Sequence, residues 1–155
     1  MKKIICFVLA AVALLCSFTA CGGTTPKEVD ISSVYAEIES AVTIPDFIKL
    51  TEADIADYVA VDVADIKNMI VEISAEAISA DQIIICEAVD AEAAERVEAA
   101  FVTYLDTVKK SFENYLPSEY KKMEDTEVKR SGNYVYYAVS AEEDTINGIF
   151  DKYFK

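Results

Sequence analysis

Histidine is absent from the chain. That removes Ser-His-Asp and Cys-His catalysis and His-ligated zinc, because each needs an imidazole as base, orienter or ligand. The four glycines, Gly22, Gly23, Gly132 and Gly148, form neither a phosphate-cradling loop nor a dinucleotide fingerprint. What remains is carboxylate, thiol and phenol chemistry. Two acids suffice for glycoside hydrolysis, but with 28 of them some close pair is expected by chance. No pair therefore marks a site, and we assign no catalytic residue, no metal ligand and no cofactor.

Oxygen ligands for calcium could come from Asp62 with Asp65, or from Glu142, Glu143, Asp144 and Asn147. Neither group has the alternating spacing and central glycine of an EF-hand loop. The second also sits where the first turn of a helix favours negative charge. Nine tyrosines are the other functional prospect. Tyr134 and Tyr136 must share one face of a strand, and on the open side of a sheet they would form an amphipathic candidate binding face for glycan, peptide or protein. Alternatively they are strand formers packed against cross-strand neighbours.

The cysteines point elsewhere. Met1-Lys2-Lys3 is positively charged, residues 4–20 form a charge-free run, and small residues follow at Thr19-Ala20-Cys21-Gly22-Gly23. This is the three-zone pattern of a secretory signal peptide. A cysteine directly after Thr19-Ala20 resembles the lipobox of bacterial lipoproteins, although Phe18 stands where Leu is usual. Cys16 follows bulky Leu14 and Leu15 and fits less well. We expect cleavage between Ala20 and Cys21, with lipidation of Cys21 anchoring the chain to the outer face of the cytoplasmic membrane. Two acyl chains suffice for stable anchoring where one is marginal. Residues 21–29 then read as a short flexible tether.

Removing residues 1–20 leaves 135, one domain with enough chain for a real core. Lys2 and Lys3 leave with the signal, so 12 basic residues face 28 acidic ones and the net charge becomes −16. Such a chain is repelled by nucleic acid and anionic headgroups. Cys86, within Ile83-Ile84-Ile85-Cys86, stays unpaired and reads as a small buried hydrophobe.

Periodicity supplies the scaffold. Asp30 caps a helix to about residue 42, residues 43–50 connect, and Thr51 with Asp54 offers a capping box for a short helix to about Tyr58. From Ile66 the rhythm becomes two-residue, giving a strand up to a turn at 78–81. A second, more central strand follows at 82–88. Asp90 caps the longest helix, whose stripe runs Ala94, Val97, Phe101, Leu105, Val108, Phe112, Tyr115 before Leu116-Pro117 ends it. Strands at 126–130 and 133–140 flank Ser131-Gly132, and a last helix spans 141–154. The expected fold is α+β: a four-stranded, mainly antiparallel sheet of two strand-strand-helix units (66–116 and 123–154), covered by helices on one face.

The order of these features resembles a known family. A lipobox, a Tyr-bearing first helix, Ser79-Ala80-Asp81-Gln82-Ile83 and an Ala/Glu-rich helix come first. Phe112-Glu113-Asn114-Tyr115-Leu116-Pro117, Gly132-Asn133-Tyr134-Val135 and a closing helix through Ile149-Phe150 follow. Nearly the whole chain after the signal is similar to the lipoproteins of Gram-positive anaerobes grouped as domain of unknown function 4358. The resemblance implies an extracytoplasmic lipoprotein with an α+β domain; it brings no established activity and no functional residues. Our expectation is a non-enzymatic binding or envelope-assembly module with a protein or glycan partner and no nucleic acid. A calcium or small-ligand carrier using the acidic surface is the alternative.

Overall fold

The computed structural model describes residues 28–155, a single α+β unit. Three helix starts are set by local capping. Asp30 accepts from the Ser32 amide to open α1 (Ile31–Ala41). Thr51 and Asp54 form the reciprocal box that opens α2 (Glu52–Tyr58). Asp90 accepts from the Ala93 amide at the head of α3 (Ala91–Glu113). Each satisfies amides that the first helical turn leaves without a carbonyl.

The strands are β1 (Phe47–Lys49), β2 (Ile66–Ser74), β3 (Gln82–Ala88), β4 (Lys129–Ser131) and β5 (Tyr134–Val139). They form one sheet in the order β1-β2-β3-β5-β4, every neighbouring pair antiparallel. The apolar β3 is the middle strand, as its composition predicts. Gly132 turns the β4–β5 hairpin with φ 57°, a conformation that costs a residue with Cβ but not glycine.

Between Ile66 and Asn68 the β2–β3 register slips by one, so Lys67 is an extra, bulged residue. The slip inverts side-chain parity. It lets Ile66 join Met69, Val71 and Ile73 on one face of the sheet.

The architecture departs from expectation in four places. The sheet has five strands rather than four, because β1 forms within 43–50. Three residues after Pro45 and Asp46 are too few to show alternation. Helix α3 stops at Glu113, before Tyr115 and Leu116-Pro117, and Pro117 starts α4 (Pro117–Met123) from its first turn, where a missing amide hydrogen costs nothing. The fourth strand begins at Lys129 rather than 126, while Thr126 is buried and hydrogen-bonded to Glu143.

The largest correction concerns the layers: helices cover both faces. On one, Ile84, Cys86, Val135, Tyr137 and Val139 pack with α3 through Ala94, Val97, Phe101 and Leu105. On the other, Ile83, Ile85, Tyr134, Tyr136 and Ala138 pack with α1 and with α5 (Glu143–Phe154), through Val34, Ile38, Ile146 and Phe150. This explains six consecutive buried residues in β5, an unusual run for an antiparallel strand.

The two strand-strand-helix units are therefore not rotational copies. A two-fold axis normal to the sheet would exchange β3 with β5 and keep both helices on one face, whereas α3 and α5 lie on opposite faces.

Candidate functional site

Tyr134 and Tyr136 do share a face, but not an open one. Both are buried, at 5% and 3% exposure. The Tyr136 ring stacks on Phe154 at 4.2 Å between centroids and lies 5.0 Å from Phe150. The candidate binding face is thus the floor of the α1/α5 layer, its rings packed against helix residues Phe150 and Phe154 rather than open to solvent. Tyr134 has one further role. Its hydroxyl accepts from the Val29 amide at 2.9 Å and donates to Glu87 at 3.4 Å, and Lys67 pairs with Glu87 at 2.7 Å. The chain is pinned where it enters the domain, at the edge of the sheet end where β5 begins.

Cys21 and Ala20, the expected lipidation and cleavage positions, lie outside the described residues. Cys86 is fully buried, and desolvation pushes its thiol pKa up to about 12. Only the thiolate is nucleophilic. In native protein at mildly alkaline pH, Cys86 is expected to resist disulfide-exchange labelling and to react fully once denatured. Peptide mass mapping that found it labelled at once in native buffer would contradict this placement.

Of the groups proposed as calcium ligands, all but Asp144 are engaged among the described residues, each with partners of its own. Asp62 accepts from the Ala64 amide. Asp65 takes two bonds from Arg96, at 2.6 and 2.9 Å, and these hold its carboxyl below the usual range. Glu142 accepts from the Thr43 amide, Glu143 from Thr126 and Asn147, and Asn147 from Lys129. Among the described residues no three acids, or acids with Cys86, converge as a metal cluster.

Open surface with binding character lies at the other end of the sheet. Helix α3 has 23 residues, roughly 34 Å, whereas the 7 residues of β3 cover roughly 23 Å. Its apolar stripe therefore outruns the sheet. Phe101 and Leu105 are buried, Tyr104, Val108 and Phe112 are half-buried, and Tyr115 is 73% exposed. A groove of about 250 Å³ opens between this overhang and the β2–β3 turn, with Ile73, Tyr104, Val108 and Phe112 among its walls. Ile78, in the same turn, is 59% exposed.

The turn is rigidly built. Ser79 donates to Asp81 at 2.6 Å, Lys122 bridges Asp81 and Glu119, and the Ala80 amide donates to Glu119. Gln82 accepts from the buried Tyr137 hydroxyl. The Ser79-Ala80-Asp81-Gln82 segment thus holds the turn against α4 and the core.

Sequence reading gave the α3 stripe no binding role and missed this groove. The available signal was length, since a stripe through Tyr115, roughly 32 Å, is longer than the seven-residue strand at 82–88 can cover.

No curated protein and no solved structure gives a significant match to the chain. The profile of the domain of unknown function DUF4358 matches residues 40–140, which include β1 to β5, α2 to α4 and the whole groove. The chain belongs to the DUF4358 family.

Proposed function

We propose that the protein is an extracytoplasmic lipoprotein whose α+β domain is a non-enzymatic binding module, held outside the cytoplasmic membrane by lipid on Cys21. The observation that carries this reading is the opposition of its two ends. The chain enters the domain at Val29, clamped by Tyr134, while the groove opens about the length of β3 away, roughly 20 Å. Seven residues lie between Cys21 and Val29, so eight Cα steps span at most about 28 Å of extended chain. A lipid at Cys21 would keep the clamp near the headgroups and present the groove outward. The net charge of −16 repels an anionic surface and favours that standing orientation.

Replacing Cys21 tests the anchor. In Cys21→Ala the thiol that accepts the diacylglyceryl group is gone, and labelled fatty acid fed to the cells is expected to mark the wild-type protein and not the variant. Mass spectrometry of the wild-type N-terminus should find a lipid-modified Cys21. An unmodified Cys21, or a variant that still takes up the label, overturns the reading.

A further inference from the structure

We propose that the groove between the β2–β3 turn and the end of α3 receives a cationic, apolar polypeptide segment of a protein partner. This deepens the binding-module reading and rests on it.

The walls select the chemistry. Ile73, Tyr104, Val108 and Phe112 offer apolar area; the exposed Ile78 lies in the β2–β3 turn and the exposed Tyr115 just past the end of α3. Most polar side chains there are already committed within the protein. Ser79 is bound to Asp81, Asp81 to Lys122, Gln82 to Tyr137 and Ser111 to the Val108 carbonyl. Ser74 accepts from the Glu76 amide. A sugar needs several convergent uncommitted donors and acceptors, and among side chains the groove supplies the Tyr104 hydroxyl and the Glu76 carboxylate. Two groups give a glycan little orientation.

One lining charge has no ion pair among the described residues: the exposed Glu76 carboxylate. Beyond it the chain as a whole is acidic. Lys67, Arg96, Lys122, Arg130, Lys152 and Lys155 are held in ion pairs, and although Lys49, Lys109, Lys110, Lys121 and Lys129 are in none among the described residues, acids outnumber basic residues 28 to 14 over the full sequence. A second copy of the chain, itself at −16, would be repelled. Apolar side chains flanked by Lys or Arg complement both the walls and the rim.

The test is calorimetric titration of the full-length protein in detergent, near physiological salt, with three probes. These are a helix-forming Leu/Lys peptide of about five turns, a Leu/Glu peptide of the same pattern, and an N-acetylglucosamine oligomer. The Leu/Lys peptide is expected to bind and the other two to show no heat. The double variant I78S/Y115S should weaken binding about tenfold or more, since it removes flanking contacts. Both side chains are exposed, so the thermal midpoint should not move. E76Q should weaken binding less, and I48S, at an exposed site on β1, should leave it unchanged.

Absence of Leu/Lys binding overturns the proposal. So does equal binding of the Leu/Glu peptide, binding of the sugar, or binding indifferent to I78S/Y115S. The anchor is read independently by fatty-acid labelling of the wild type and Cys21→Ala, so a chain that binds the peptide without lipid separates the two claims.

Discussion

Tyr136→Ala is expected to destabilise the domain by about 3–5 kcal/mol, the range for emptying a buried aromatic position. The ring is 3% exposed and sits between Phe150 and Phe154 on α5. Its removal loses transfer energy, aromatic pairing and packing together, and neighbours on a helix docked to a sheet relax only in part. A domain of this size is stable by about 5–15 kcal/mol, so the loss is a large fraction of the total. The thermal midpoint should fall by roughly 10–20 °C. If Tyr136 faced solvent on an open sheet, the same change would cost under about 0.5 kcal/mol. A melt within a degree or two of wild type would therefore refute the second helical layer.

Phe101→Ala should cost about as much, roughly 3–5 kcal/mol, from the opposite layer. Phe101 is fully buried on α3 and meets Tyr137 edge to face at 6.1 Å. The Tyr137 hydroxyl is fixed to Gln82 at 3.0 Å, so that ring cannot swing into the space without breaking a buried hydrogen bond. Because the site cannot collapse freely, the cavity contribution stays high. Denaturant unfolding should show a lower midpoint with little change in slope. Full native stability in Phe101→Ala would mean that α3 is not seated on β3 and β5. The two substitutions lie on opposite sides of the sheet and share no partner, so their costs should add within about 0.5 kcal/mol.

Much of the scaffold was legible because its causes are local. Asp30, Thr51 with Asp54, and Asp90 cap helices through groups at most three residues away. Gly132 meets a conformational demand set by its own hairpin. The alternation from Met69 to Ile73 and the unbroken apolar run of β3 mark strands without reference to the rest of the chain. By contrast β1 exists only because β2 offers it an edge, and its three residues carry no periodic signal.

The candidate site was less legible. The alternation at Tyr134 and Tyr136 showed that they share a face, but not what lies above it. That depends on α5, and on Val29, more than a hundred residues away in sequence. The α3 stripe likewise announced apolar contact along its length without saying where the sheet would end. Overlap of helix and strand decided which part became core and which became groove.

By itself the sequence determined the longer helices and strands, the family, the exclusion of histidine-based chemistry and the excess of negative charge. These follow from composition and from interactions within a turn or a strand pair. Only the tertiary structure decided that both faces are covered, that Tyr134 clamps the chain entry, and that an open apolar groove forms at the far end of α3. Those outcomes depend on contacts between residues remote in sequence, such as Glu37 with Lys152, which no local pattern encodes.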